Sequence, residues 1–289
     1  MELWYTIVDL LPFDWAQPGS MYFMKNALLA VLVISPLFGL LSTMVVESRM
    51  SFFSDALGHS AFTGIAIGTL LASAWRLFAG VDPMWIAVLF AVGFALLFSV
   101  VRRRTNMASD TVIGVFSSTA VALGIFLATL GGKSFTKFNN LLIGDILSVE
   151  PAKIALLAMI LLVVAVLWVC SFNGLMLSAV HPALADSRGV KVFWQEAVFS
   201  AAIAVVVTVS MTWVGLLVIN SLLVLPAAAA RNLARNQRQY HLFSVLGAVA
   251  AGVAGLMTSY YVGTSAGASI TLYLALFFAV TFLLRGKRQ

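Results

Sequence analysis

The sequence has little charge. Only 10% of its 289 residues are Asp, Glu, Lys or Arg, whereas 62% are hydrophobic and the mean hydropathy is +1.03. Because an ordinary soluble domain carries about 25% charged residues, this chain lacks the polar surface that a water-soluble globule needs. Its length accommodates roughly eight to ten membrane-crossing helices and no separate soluble domain of ordinary size. The composition therefore predicts an all-α, polytopic membrane protein.

Cysteine and histidine are also scarce. The single cysteine, Cys170, cannot form an internal disulfide, and its apolar surroundings predict a small core residue. The three histidines include no His-Glu-x-x-His pattern, so an intramembrane metalloenzyme is disfavoured. We expect no catalysis by this chain and no permanently bound cofactor.

The first twenty residues lack lysine and arginine. They carry three acidic residues instead, the reverse of a signal peptide's positively charged start, so no cleavable signal is expected. Two tryptophans, a tyrosine and a phenylalanine accompany them. Residues 1–20 are therefore predicted to form an amphipathic segment at the membrane interface.

Apolar runs separated by short polar breaks predict nine membrane-spanning helices within a single domain, residues 1–289. The expected spans are 21–44, 54–73, 84–101, 110–130, 152–172, 193–211, 213–230, 241–261 and 267–284. The least marked boundary divides 193–230, where only Thr212 and Trp213 indicate a turn. Without that turn the chain would have eight spans.

The basic residues predict the orientation of the spans. With the N-terminus outside, twelve of the seventeen Lys and Arg residues lie in inner loops and five in outer loops. The inner residues are Arg49, Arg102, Arg103, Arg104, Arg188, Lys191, Arg231, Arg235, Arg238, Arg285, Lys287 and Arg288, and the outer ones are Lys25, Arg76, Lys133, Lys137 and Lys153. Because cytoplasmic loops are enriched in Lys and Arg, this favours N-out and C-in. The same distribution explains the net charge of +6 without a nucleic-acid partner.

The stretch SFFSDALGHSAFTG, residues 51–64, places two polar side chains in an otherwise apolar span. On a helix, Asp55 and His59 lie about 40° apart, so both point into one narrow sector. A charged aspartate within a span costs roughly 2.5–3.5 kcal/mol on the milder insertion scales and marks a functional candidate. Together the carboxylate and imidazole would form half of a divalent-metal site. Alternatively, Asp55 caps the helix at the inner interface, or only orients His59 through a hydrogen bond.

Two ligands are too few for zinc, which takes about four donors. A twofold dimer would bring two Asp55 and two His59 side chains around one axis. The metal interpretation therefore also predicts a homodimer whose centre is lined by this helix. Gly64 and Gly68 lie on the opposite side of the helix, at a spacing that lets a neighbouring helix approach closely.

Several segments together resemble the permease subunits of bacterial ATP-binding-cassette importers for zinc, manganese and ferrous iron. The resemblance covers nearly the whole chain after residue 25. Its strongest segments are RMSFFSDALGHSAFTGIAIG (49–68), SDTVIGVFSSTAVALGIFL (109–127), LIGDILSV (142–149), VGLLVINSLLVLPAAAAR (214–231) and SYYVGTSAGASITL (259–272).

This resemblance implies a multi-pass protein of the bacterial cell (inner) membrane. The implied partners are a second permease copy, two cytoplasmic ATPase subunits, an extracytoplasmic metal-binding protein and the lipid bilayer. The metal contacts of the family fall on Asp55 and His59, with Zn²⁺ or Mn²⁺ as the transported substrate. The imidazoles suit zinc and the carboxylates suit manganese; we expect zinc. A secondary divalent-cation transporter, independent of an ATPase, is the alternative.

The inner break at 173–192 is polar, and its stretch PALADSRG predicts a short helix. The resemblance implies that residues 181–190, HPALADSRGV, form the cytoplasmic coupling helix, which docks in a groove of the ATPase. The residues assigned to this coupling are His181, Pro182, Ala183, Leu184, Ala185 and Gly189.

Overall fold

The structure, a computed structural model, describes residues 2–74, 80–105, 107–130 and 144–285. Over these ranges the chain forms eleven α-helices and no strand. The helices are α1 (Glu2–Val8), α2 (Tyr22–Glu47), α3 (Phe53–Ala74), α4 (Pro83–Arg104), α5 (Ser109–Leu130), α6 (Pro151–Val180), α7 (Pro182–Ser187), α8 (Val192–Val214), α9 (Leu216–Leu233), α10 (Gln237–Val262) and α11 (Ala266–Arg285). Short 3₁₀ turns occur at Asp14–Ala16 and Ile146–Ser148.

The long helices form a membrane-protein bundle. Within the described residues, eight helices are long and apolar enough to cross a membrane: α2, α4, α5, α6, α8, α9, α10 and α11. A ninth long helix, α3, has 22 residues and packs against α4 and α5. The predicted all-α, multi-pass fold is therefore confirmed.

The break within 193–230 does not fall at its predicted position. The chain stays helical through Thr212 and Trp213, and the break falls at Gly215, which separates α8 from α9. Gly215 has a φ of +85°, and this conformation strongly favours glycine because it has no Cβ.

Helix α6 is longer than predicted. It continues to Val180 instead of ending at 172, because most of the residues that follow 172 are apolar and extend the helix. The expected loop at 173–192 is therefore helical over its first part, and α7 is the short helix predicted within it. Cys170, predicted to lie in the core, is exposed on α6.

The C-terminal ends of α2, α4 and α9 lie at the same end of the bundle, which we call the arginine end. It carries the side chains of Arg102, Arg103, Arg231 and Arg235. There Arg102 Nη2 donates to the Ser48 carbonyl at 2.9 Å, and the Arg103 guanidinium lies 5.8 Å from the Phe193 ring centroid. Both contacts involve residues at or next to helix ends, on the side of the bundle that the predicted orientation places inside. The basic residues Arg76, Lys133, Lys137, Lys287 and Arg288, also used for that prediction, lie outside the described residues.

The N-terminal segment folds back against the start of α2. The Trp4 indole donates to the Lys25 carbonyl at 3.0 Å, and the fully buried Lys25 ammonium forms an ion pair with Asp9. Leu3 and Leu10 remain 76% and 82% exposed. The segment thus presents apolar side chains outward, and the interfacial position of residues 1–20 stays a prediction.

Helices α3 and α4 approach closely at glycines. A Cβ on Gly64 would lie 2.6 Å from the Ala87 Cα, and one on Gly68 would lie 3.0 Å from the Pro83 Cα. The expectation that this face of α3 packs against a neighbouring helix is therefore confirmed.

Replacing Gly64 with alanine is expected to destabilise the protein by about 1–3 kcal/mol, because the new methyl group would overlap the α4 backbone. Thermal unfolding of the detergent-solubilised protein measures the effect. Gly93→Ala on α4 is the matched control, since no atom lies within 4 Å of the Cβ that it would add. Equal melting midpoints for the two variants would contradict the expectation.

Candidate metal site

The packing of α3 against α4 sets the depth at which α3 begins. The Phe53 and Phe98 rings stack with centroids 4.5 Å apart. Phe98 lies six residues before Arg104, the last residue of α4, which corresponds to about 9 Å along the helix axis. Helix α3 therefore begins inside the bundle and not at the membrane surface.

This offset places the polar pair near mid-depth. At 1.5 Å per residue, Asp55 and His59 lie about 12 and 18 Å from the level of Arg104, along a helix α4 that is about 32 Å long. The two residues thus lie on either side of the midpoint of α4. This depth argues against Asp55 as a helix cap at the inner interface.

Asp55 contacts polar groups from three helices. Its Oδ2 lies 3.5 Å from His59 Nε2 on the same helix. Its Oδ1 accepts a hydrogen bond from Asn220 Nδ2 on α9 at 3.2 Å, and the Ser117 hydroxyl on α5 approaches Oδ2 at 3.5 Å. Since 3.5 Å is long for a hydrogen bond, the carboxylate and imidazole are adjacent without being tightly bound to each other.

Both side chains reach a cavity of about 460 Å³. The side chain of Asp55 is 44% exposed and that of His59 is 19% exposed. The other lining residues are Leu216, Leu217, Asn220, Ser265 and Ala268. The cavity is far larger than the roughly 30 Å³ that one water molecule occupies, so a partly hydrated ion would fit beside the pair.

One chain places one carboxylate and one imidazole, two groups that could ligate a metal, at this site. Across the described ranges, no group of three or more His, Cys, Asp or Glu residues could hold a metal ion. His181 is exposed between α6 and α7 at the arginine end. His241 lies within α10, where its Nδ1 is 2.8 Å from the Thr43 hydroxyl. Neither histidine joins the pair.

In the sequence, Asn220 and Ser117 are polar residues inside predicted spans, a pattern typical of hydrogen bonds between helices. In the structure both side chains contact Asp55, although Asn220 and Ser117 are 165 and 62 residues away from it in the chain. The Asn220 amide oxygen is buried and has no hydrogen-bond partner among the described residues. The only signal in the sequence was a polar residue inside an apolar span, which does not identify its partner.

The residues assigned to coupling lie at the arginine end, apart from the polar pair. Helix α7 begins at Pro182, and Gly189 follows it with a φ of +76°. Ala185 is fully buried, whereas His181, Ala183 and Leu184 are exposed. The short helix therefore uses one side to pack on the bundle and presents the other outward.

A multi-pass bundle with an acidic and an imidazole side chain at mid-depth has the general arrangement of a membrane transport protein. Residues 20–285 match the ABC 3 transport family. The chain belongs to this family and is a transport component, which confirms the resemblance stated from the sequence.

Individual relatives cover nearly the full length. The manganese import system permease protein ScaB of Streptococcus gordonii is 29% identical over 272 residues, 93% of each chain. The high-affinity zinc uptake system membrane protein ZnuB of Haemophilus influenzae is 27% identical, over 90% of this chain and 97% of its own. Among solved structures, PsaBC from Streptococcus pneumoniae in complex with Fab superposes with a TM-score of 0.76 and 27% identity, covering 98% of this chain and 95% of that chain.

Proposed function

We propose that this chain is the permease of an ATP-driven importer that passes Zn²⁺, or Mn²⁺, across the bacterial inner membrane. The ion arrives from an extracytoplasmic binding protein and passes a transient site formed by Asp55 and His59 of two permease copies. The observation that carries the proposal is the adjacent carboxylate and imidazole at mid-depth, open to a cavity. The names of the manganese and zinc permeases among the relatives support the substrate class.

The exposure of Asp55 supports a shared site. In one chain the Asp55 carboxylate is 44% exposed at the cavity, and a side of the cavity that opened to hydrocarbon would leave its charge unsolvated. A second copy related by a twofold axis would cover it and add its own Asp55 and His59. The resulting two carboxylates and two imidazoles match the four donors that zinc prefers.

Asn220 is a positioning residue in this proposal. Its amide N–H group holds one carboxylate oxygen of Asp55 at 3.2 Å, which leaves the other oxygen on the side of His59. Groups that hold ligands in this way commonly affect metal affinity by 10- to 100-fold. A transport site must also release its ion, so a partly exposed site is better suited than a closed structural one.

Helix α7 would transmit the closure of two cytoplasmic ATPase subunits to the bundle. Leu184 is 42% exposed and offers an apolar contact for a groove on the ATPase, while the buried Ala185 anchors the helix on the bundle. In the predicted orientation, this helix faces the cytoplasm.

The proposed function is tested by uptake of radiolabelled zinc into vesicles that contain the complete importer. Uptake is expected to require ATP and to be competed by manganese. Leu184→Glu is expected to reduce it at least about tenfold, because a buried interface position does not accept an unpaired charge. Ser187→Ala, on the same short helix, is the control. Uptake that persists without ATPase subunits would instead indicate a secondary transporter.

A further inference from the structure

A buried glycine lies between the two residues of the polar pair. Gly58 is on α3, three residues after Asp55 and one before His59. A Cβ on Gly58 would lie 2.6 Å from Cδ2 and 2.9 Å from Cγ of Leu216 on α9, whereas non-bonded carbon atoms pack at about 3.5–4.0 Å. Because Cγ itself is too close, rotation of the terminal methyl groups would not relieve the overlap. Leu216 therefore rests in a space that only glycine leaves open, which we call the Gly58 notch.

Leu216 begins α9 and is 3% exposed. It directly follows Gly215, where α8 ends and the backbone turns with a φ of +85°. The same turn is also contacted by Gly144, since a Cβ on Gly144 would lie 2.5 Å from the Gly215 Cα. The start of α9 is therefore packed both against α3, at the Gly58 notch, and against the segment that begins at Gly144.

The face of α9 that carries Leu216 also carries the hydrogen-bond donor to Asp55. Asn220 follows Leu216 by four residues, about one helical turn, so the two side chains point to the same side of α9. Leu216 rests on Gly58, and Asn220 Nδ2 donates to Asp55 Oδ1 at 3.2 Å. Helices α3 and α9 thus meet at two levels about 5 Å apart along their axes, one apolar and the other polar.

The polar contact depends on the apolar one. With a methyl group on residue 58, Leu216 would have to move away by about 1 Å to reach an ordinary carbon contact. The first turn of α9 would move with it, and the 3.2 Å bond from Asn220 would leave the range of about 2.7–3.2 Å in which such bonds form. An error of about 1 Å in the placement of a functional group can cost roughly 100-fold in activity.

We propose that Gly58 and Leu216 are positioning residues of the metal site. The Leu216 side chain in the Gly58 notch fixes the start of α9, and α9 in turn holds Asn220 against Asp55. Neither Gly58 nor Leu216 supplies a ligand atom. This assignment rests on the proposed function, because it identifies the packing that sets the metal affinity of the same pair.

Equilibrium dialysis of the full chain with radiolabelled zinc tests the proposal. Gly58→Ala is expected to weaken zinc binding by about 10- to 100-fold, the range typical of groups that orient metal ligands. Combining it with Leu216→Ala should restore binding to within about threefold of the wild type, because alanine at 216 lacks the Cγ and Cδ atoms that the new methyl group would overlap. Gly93→Ala is the control, since no atom lies within 4 Å of its added Cβ.

A second comparison tests the route through Asn220. In an Asn220→Ala background, Gly58→Ala should weaken zinc binding by less than about twofold further, because the group that the notch positions is already absent. A purely structural effect of the added methyl group would not depend on Asn220. Melting midpoints measured without metal test the contact itself: Gly58→Ala should melt below Gly93→Ala, and the double variant with Leu216→Ala should recover.

Four results would overturn the assignment. Equal zinc binding by Gly58→Ala and Gly93→Ala would show that the notch does not set the affinity, and equal metal-free melting midpoints would show that the contact is not formed. A double variant that binds more weakly than Gly58→Ala would show that the two residues act independently. An undiminished effect of Gly58→Ala in the Asn220→Ala background would exclude the route through Asn220.

Asp55→Asn distinguishes this proposal from the proposed function. Loss of zinc binding in Asp55→Asn together with normal binding in Gly58→Ala would refute only the positioning role. Normal zinc binding in Asp55→Asn would refute the metal site itself, and the positioning role with it.

Discussion

Asp55→Asn and His59→Gln are each expected to reduce metal uptake by at least about 100-fold. The asparagine keeps the size of the side chain but removes its charge, and the glutamine removes the imidazole donor. Because the proposed site contains two copies of each residue, either substitution removes two of four ligands at once. Substitution of residues that only orient metal ligands commonly lowers metal affinity or activity by 10- to 100-fold. Removal of the ligands themselves should therefore lower uptake by more than that range. Uptake of radiolabelled zinc into vesicles with the complete importer measures the loss.

Ser265→Ala is the matched control, because Ser265 lines the same cavity without supplying a carboxylate or imidazole. Its uptake should remain within about twofold of the wild type. Asn220→Ala should be intermediate, since Asp55 loses its 3.2 Å hydrogen bond but keeps its charge. Membrane levels and melting midpoints establish that each variant is assembled. Wild-type uptake by a folded Asp55→Asn or His59→Gln variant would refute the proposed metal path.

Features that depend on local periodicity were visible in the sequence. The spacing of Asp55 and His59 places them on one face of any helix, and the structure brings them within 3.5 Å. Gly64 and Gly68 were likewise assigned to the opposite, packed face, where α4 approaches. Apolar runs also predicted the positions of the long helices, because a helix that crosses a membrane needs a continuous stretch of apolar residues.

Features that depend on packing between distant segments were not visible. The depth of Asp55 follows from the stacking of Phe53 on Phe98, which no pattern within α3 encodes. The partnership of Asn220 with Asp55 joins residues far apart in the sequence. The sequence does not predict the break at Gly215, because polar Thr212 indicates a turn there, although a membrane helix tolerates a threonine whose hydroxyl bonds within the helix. Here that hydroxyl donates to the Val209 carbonyl at 3.2 Å.

A complex with two permease chains is expected to bind one transported metal ion at mid-depth, not two. A single chain offers one carboxylate and one imidazole near the cavity, and zinc held by only two protein ligands would exchange rapidly with water. Equilibrium dialysis with radiolabelled zinc, corrected for binding by an Asp55→Asn and His59→Gln double variant, measures the number of ions per chain. One ion per chain would show that each copy forms a complete site and would contradict the shared arrangement.

Mixed dimers give a sharper test of the same symmetry. In the predicted orientation the two termini lie on opposite sides of the membrane, so a direct fusion of two chains would require an additional span. Co-expression of a wild-type and a doubly substituted chain with different affinity tags avoids this problem. If each subunit had an independent site, the mixed dimer would keep about half of the uptake. A shared site retains one Asp55 and one His59 in the mixed dimer, half of its ligands, so uptake should fall to a few per cent. A mixed dimer carrying Ser265→Ala in one chain should keep full uptake, which separates loss of ligands from any effect of tagging or assembly.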